Sequence, residues 1–224
     1  MCGRFNLTAT PDEIAQAFQL LYRPDWSPRY NIAPTQLIPI VRASATEAHR
    51  EWSQVVWGLI PSWSKDRTRA ASMINARSET AAEKPSFRNP FRHRRCLIPS
   101  TGFYEWEAID KKTKQPYLIM RADQPLFAFA GLWERWIGPD QNVVESCTIL
   151  TTAADESLQH LHERMPVILD PERYDDWLDP RLDQPDQVQA LLTPATVPAW
   201  NLRGVSTAVN NVRTEGEICI QPNL

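Results

Sequence analysis

Apolar residues recur at two spacings along this chain, and Pro-rich connections separate the stretches that follow them. Ile14, Ala17, Phe18 and Leu21 fall on one face of a 3.6-residue repeat. Ahead of them, Thr10-Pro11-Asp12-Glu13 reads as a helix start. Thr10 caps, Pro11 takes the first helical position, and Glu13 closes a capping box. Runs rich in β-branched and aromatic residues, bounded by turn formers, predict strands at 37–42, 52–58, 96–98, 102–106, 117–121, 126–132 and 147–151. A last strand is predicted at 205–212. Short helices are predicted at 78–83, at 154–161, from Asp170-Pro171 with Asp170 as cap, and through 187–192. Residues 22–36 read as a Pro-rich loop and 59–76 as irregular. Strands dominate the middle and helices come in short pieces. This predicts an α+β fold in one domain over 2–224: a curved antiparallel or mixed sheet, or an open β-barrel, with short flanking helices. There is no β-α-β rhythm and no Gly-rich turn, so no nucleotide fingerprint.

Composition narrows the function classes. The 224 residues are 42% hydrophobic, which suits a folded domain. Pro is frequent (19) and Gly scarce (7), so the connections are stiff. Nine Trp leave some for surface work. No apolar window is long enough to cross a membrane, and the first twenty residues hold Arg4, Pro11, Asp12 and Glu13, so neither a membrane span nor a secretory signal is expected. Cys2, Cys96, Cys147 and Cys219 lie far apart without a C-x-x-C pair. That argues for a reducing cytosol, against a disulfide framework and against a zinc site, with no metal or other cofactor expected. The net charge of −3 hides an asymmetry. Residues 1–121 carry 18 Lys+Arg against 11 Asp+Glu, and residues 122–224 carry 6 against 16. Either the basic half meets a polyanion or the halves neutralise each other within one fold.

The candidate chemistry begins at the N-terminus, Met1-Cys2-Gly3-Arg4-Phe5. Cys is small enough for the initiator Met to be removed. A mature chain starting at Cys2 carries an α-amine of pKa about 7.7–8.0 and a thiol near about 8.5 on one residue. This 1,2-aminothiol gives a Schiff base with an aldehyde and then closes a five-membered thiazolidine, because both nucleophiles share one carbon frame. The alternative is that Cys2 merely follows Met1 in a frayed tail.

Six segments bear on that choice: Cys2-Gly3-Arg4-Phe5, Arg29-Tyr30-Asn31-Ile32-Ala33-Pro34, Trp57-Gly58-Leu59-Ile60-Pro61-Ser62-Trp63, Asn75-Ala76-Arg77-Ser78-Glu79-Thr80, Gly102-Phe103-Tyr104-Glu105-Trp106 and His162-Glu163-Arg164-Met165-Pro166. In this order the chain resembles the SOS response-associated peptidase (SRAP) family from Cys2 to the Asn211-Val212 region. The resemblance implies a SRAP-like fold and the capture of abasic sites in single-stranded DNA. Cys2, exposed by loss of Met1 at the same site, is then the covalent nucleophile. Asn75 orients the adduct, and Glu105 and His162 move protons. Arg4 and Arg77 hold phosphates, Trp63 stacks on bases, and Asn31 belongs to the DNA-binding set. Ser64 stands where relatives often place a second aromatic, so a strand-separating wedge is built differently here. One copy suffices for one strand. The basic run Arg88, Arg92, Arg94, Arg95 matches no motif and reads as a solvated face or an extension of the DNA groove.

Glu105 draws support from its own surroundings. In a strand it lies opposite Tyr104 and Trp106 and beside Phe103, so its pKa should rise, as acid–base work requires. Glu107 shares its face and competes, and an ordinary exposed strand Glu is the other option. His160 and His162 diverge by about 200° on a helix and do not make one metal site. Three rival functions remain: an N-terminal-nucleophile amidohydrolase, a cysteine peptidase acting in trans through Cys2 and His162, and a non-covalent single-strand binding module. Replacing Cys2 by Ala separates the last from a crosslinker.

Overall fold

A computed structural model describes residues 2–68 and 70–223. In chain order the strands are β1 (Phe5–Leu7), β2 (Arg29–Ile32), β3 (Leu37–Ala43), β4 (Arg50–Trp57), β5 (Asn75–Arg77), β6 (Arg95–Ser100), β7 (Gly102–Ala108), β8 (Lys114–Arg121), β9 (Phe127–Ile137), β10 (Val143–Ala153), β11 (Arg164–Pro166), β12 (Ile168–Leu169) and β13 (Trp200–Gly204). The helices are α1 (Pro11–Phe18), α2 (Arg88–His93), α3 (Tyr174–Leu178) and α4 (Pro185–Leu191).

The fold is α+β, and its barrel closes. Strands β4, β3, β6, β9 and β10 pair in sequence, and β10 returns to β4 through a parallel pairing of Ser146 with Val56 and Cys147 with Trp57. The second sheet runs β13-β8-β7-β1-β2, antiparallel throughout. Aromatic rings join the two. Phe5 of β1 meets Trp57 and Phe129 edge-on at centroid distances of 5.4 and 5.8 Å, and Phe103 of β7 meets Phe129 at 6.1 Å. Strand β9 is buried along most of its length, as expected where both faces are covered. Gly58, leaving β4 with φ 134°, lets the Ala70 carbonyl approach to where a Cβ would stand 2.5 Å from its oxygen.

The first helix starts as its sequence dictates. The Glu13 backbone N–H donates to Thr10 Oγ1 at 3.3 Å, and the Thr10 N–H donates to Glu13 Oε2 at 2.7 Å. Thr10→Ala should lower unfolding stability by about 1 kcal/mol, read from chemical denaturation at unchanged slope.

Several predicted elements differ. Residues 154–161 form turns, because the Asp155 carboxylate takes both the Ser157 N–H and hydroxyl and offers the backbone a local alternative to a helix. Residues 78–83 are also turns. The last strand is Trp200–Gly204, paired with β8, while Thr207–Asn210 is a 3-10 turn capped by Ser206. Asp170 does not cap; its carboxylate lies 3.7 Å from Arg121 Nη1, and a 3-10 turn (Pro171–Arg173) precedes α3. The 22–36 loop hides β2, and the irregular 59–76 stretch ends in β5. The basic run is partly structural: Arg94 pairs with Glu134, and the buried Arg95 donates to the carbonyls of Trp177, Phe91, Arg92 and Asp179. Among the described residues, no helix is long and apolar enough to cross a membrane.

Candidate active site

Three elements bring the site together. Strand β1 lies between β2 and β7, so the Cys2–Arg4 segment leading into it runs beside β7. The Tyr104 N–H donates to the Arg4 carbonyl at 2.9 Å, and Glu105 follows on β7. Strand β5 runs parallel to β10 with Asn75 opposite Ile149, and Asn75 Nδ2 donates to the Cys2 carbonyl at 2.8 Å. His162 sits in the turn before β11. Glu105, His162, Arg4, Trp106 and Asn210 line a common cavity of about 550 Å3, whose remaining wall is Lys111, Lys112 and Lys114.

The electrostatics suit proton transfer. Glu105 is 6% exposed, and burial pushes its carboxyl up to about 7, with the Lys114 charge working against the rise. The direction agrees with what its aromatic neighbours predict. His162 Nδ1 accepts the Arg164 N–H at 2.9 Å, which leaves Nε2 to carry the proton of the neutral ring. Burial lowers its pKa, so it is neutral at neutral pH.

One expectation needs correction. Cys2 is 0% exposed, and burial, reinforced by the Glu105 charge, pushes its thiol far above the free-cysteine range. The thiol, which the free-residue value places near about 8.5, stays protonated at neutral pH, and Cys2 itself is packed rather than frayed. The Cys2 thiol donates to the Arg4 carbonyl at 3.8 Å.

The predicted DNA-contacting residues separate. Trp63 is 62% exposed, so it serves no core. Arg77 is exposed and by strand alternation shares the face of Asn75. Arg4 is buried, and its Nη1 donates at 2.6 Å to both Asn31 Oδ1 and the Val209 carbonyl, while its Cζ lies 5.7 Å from the Trp106 ring centroid. Asn31 is 1% exposed, and its Nδ2 donates to the carbonyls of Val209, Asn211 and Thr214 at 3.3, 3.0 and 2.8 Å. Its amide is committed inside the protein. In this geometry Asn31 fastens the C-terminal segment to Arg4 rather than facing a strand. Asn31→Ala should therefore cost about 2 kcal/mol of stability and speed amide hydrogen exchange across 209–214.

Sequence reading missed three contributors. Asn210 Oδ1 accepts the Trp106 Nε1–H at 2.7 Å. Glu79 holds Arg164 through two bonds of 2.6 and 2.8 Å, and Arg164 also donates to the Thr151 carbonyl at 2.6 Å, tying the Asn75 segment to the His162 segment. These residues sit inside or beside the quoted motifs, but only their partners give them a role. The Lys-Lys-x-Lys run at 111–114 also lines the cavity, and nothing in the linear sequence distinguishes it from solvated charge. Glu107 stands at the Gln115 register position, two residues farther along β7 and more exposed than Glu105. Among the described residues, no group of three or more His, Cys, Asp or Glu side chains is placed to hold a metal ion.

Residues 1–212 match the family model described as SOS response associated peptidase (SRAP). The chain belongs to the SRAP family. It is 42% identical over 224 residues to the abasic site processing protein YoqW of Bacillus subtilis, covering 99% of both chains. It is 32% identical to the abasic site processing protein YedK of Escherichia coli, covering 99% of this chain and 100% of that one. It is 29% identical to the abasic site processing protein HMCES of Xenopus tropicalis, covering 98% of this chain and 78% of that one. A crystal structure of a protein from Bacteroides thetaiotaomicron superposes with a TM-score of 0.85 at 27% identity, covering 100% of both chains.

Proposed function

We propose that this chain captures abasic sites in single-stranded DNA as a thiazolidine on Cys2. The observation that supports it most is the clasp of Asn75 on the Cys2 carbonyl, beside a cavity lined by both Glu105 and His162. Hydrolysis of the Met1–Cys2 peptide bond, at the same site, frees the α-amine. The amine adds to the aldehyde carbon of the ring-opened sugar, and water leaves to give an imine. The Cys2 sulfur then adds to the imine carbon, and the thiol proton passes to nitrogen. No electrons enter or leave and no cofactor is required.

Each side chain has a task in this scheme. Protonated Glu105 donates to the departing oxygen, and its conjugate base accepts the thiol proton that burial otherwise holds on sulfur. Neutral His162, with a proton on Nε2, is the second donor. Asn75 fixes the Cys2 backbone so that amine and sulfur meet one carbon. Arg77 takes a phosphate and Trp63 stacks on a base. Arg4, anchored by Asn31, sets the cavity's positive wall. One copy of this cytosolic protein serves one strand.

Intact mass, before and after mixing with a single-stranded oligonucleotide carrying one abasic site, tests the reading. The free protein should be lighter than the full chain by one Met, and the mixture should hold a protein–DNA species that survives denaturant without borohydride. Retained Met1 with no adduct would remove the aminothiol and leave non-covalent strand binding as the account.

A further inference from the structure

Arg4 is buried and already bonded, yet the cavity it lines is strongly cationic, and its exposed charges come from one turn. Lys111, Lys112 and Lys114 lie at the tip of the β7–β8 hairpin and line the cavity that Glu105 and His162 share. Among the described residues, none of the three has a carboxylate within ion-pair distance. Of the two carboxylates flanking the turn, Glu105 is buried, and Asp110 accepts the backbone N–H groups of Lys112 and Thr113 at 2.7 and 2.8 Å. Those bonds, with the Ile109 N–H donating to the Thr113 carbonyl at 3.0 Å, order the turn that carries the lysines. With Arg4, four cations therefore surround one carboxylate and a neutral imidazole. Such a wall concentrates anions at the cavity mouth. Lysine ammonium groups bind phosphate as point charges and ask for no particular register, which suits a strand of any sequence.

We propose that this hairpin is an anion-binding arm that grips the phosphodiester next to the sugar in the cavity, on the side of the lesion away from Arg77 and Trp63. The arm rests on the single-strand reading above but not on the covalent step. The strand then spans the site between two grips, β5 on one side and the hairpin on the other. Lys114, whose charge reaches Glu105, belongs to both the arm and the acid–base pair.

The test uses the full chain and a single-stranded oligonucleotide with one tetrahydrofuran site, which lacks an aldehyde and forms no adduct. Affinity is measured from 50 to 200 mM salt for wild type, Lys111→Gln/Lys112→Gln and, as a charge-loss control on the acidic half, Arg181→Gln. For single strands each phosphate contact contributes about 0.7 to the slope of log affinity against log salt, so the double variant should lose about 1.4 from the slope and bind more weakly at low salt. The control should keep the wild-type slope. An unchanged slope in the double variant, or an equal loss in the control, overturns the arm. Because the probe cannot crosslink, a protein that passes this test but gives no adduct with a true abasic strand loses the thiazolidine and keeps the arm.

Discussion

Cys2→Ala should abolish the denaturant-stable adduct with abasic single strands, while borohydride still traps a crosslink. The two outcomes come from one residue carrying two nucleophiles. Once Met1 has been removed, alanine keeps the α-amine and its imine but loses the sulfur that closes the ring. An imine hydrolyses when the protein unfolds, and a thiazolidine does not depend on the fold. The size of the effect follows from proximity: a second nucleophile on the same carbon frame acts at an effective concentration of about 10^5 M or more, so the open imine is the minor form whenever sulfur is present. At least a hundredfold loss of stable adduct is expected on a denaturing gel. The fold should survive, because truncating one buried sulfur removes little volume and costs about 1 kcal/mol. Strand binding by the variant should stay within twofold. An equal yield of stable adduct from Cys2→Ala would mean that another nucleophile forms the link and that the Asn75 clasp serves some other purpose.

What could be read from the sequence divides along physical lines. Local signals were reliable. The Thr10–Glu13 box is complete within four residues, and seven predicted strands formed because alternation and turn residues are properties of short windows. Elements whose existence depends on distant partners were not legible. Strand β1 is three residues long and exists because β7 and β2 flank it, and β5 exists because β10 offers a parallel edge. The 154–161 stretch has helical apolar spacing, yet Asp155 and Ser157 settle it as a turn. The candidate site shows the same division. Motif order picked out Cys2, Asn75, Glu105 and His162, which the fold gathers at one junction. It did not reveal that Asn31 is buried, since an Asn that contacts DNA and an Asn that clamps three carbonyls read alike in a linear sequence. Nor did it reveal that the Cys2 thiol is held protonated, because desolvation is a property of packing. In the proposed scheme that thiol needs a base next to it, which puts the weight of the mechanism on Glu105.

Glu105→Gln should slow adduct formation by about 10²- to 10⁴-fold at pH 7, the range general acid–base catalysis supplies. The carboxyl's pKa of about 7 gives that prediction a pH signature. As pH rises through 7 the wild-type acid ionises and can no longer donate to the departing oxygen. The α-amine, titrating at about 7.7–8.0, gains nucleophilicity over the same range. Wild type should therefore show a bell-shaped rate profile, and the Gln variant only the rising limb. Stability should move the opposite way. The folded pKa lies above the unfolded value of about 4.3, so the native state binds the extra proton between the two. The group's favourable contribution is complete below the unfolded pKa and is lost as pH rises through 7. Over that window wild type loses up to about 4 kcal/mol of stability that an uncharged Gln does not lose. The variant should match wild type near pH 4 and exceed it near pH 8 in chemical denaturation, as expected where a site is built at the expense of the fold. A Gln variant that reacts within twofold of wild type with the same bell would clear Glu105 of proton transfer. One that is slow but no more stable at pH 8 would place the proton on His162 and leave the Glu105 carboxylate as its electrostatic partner.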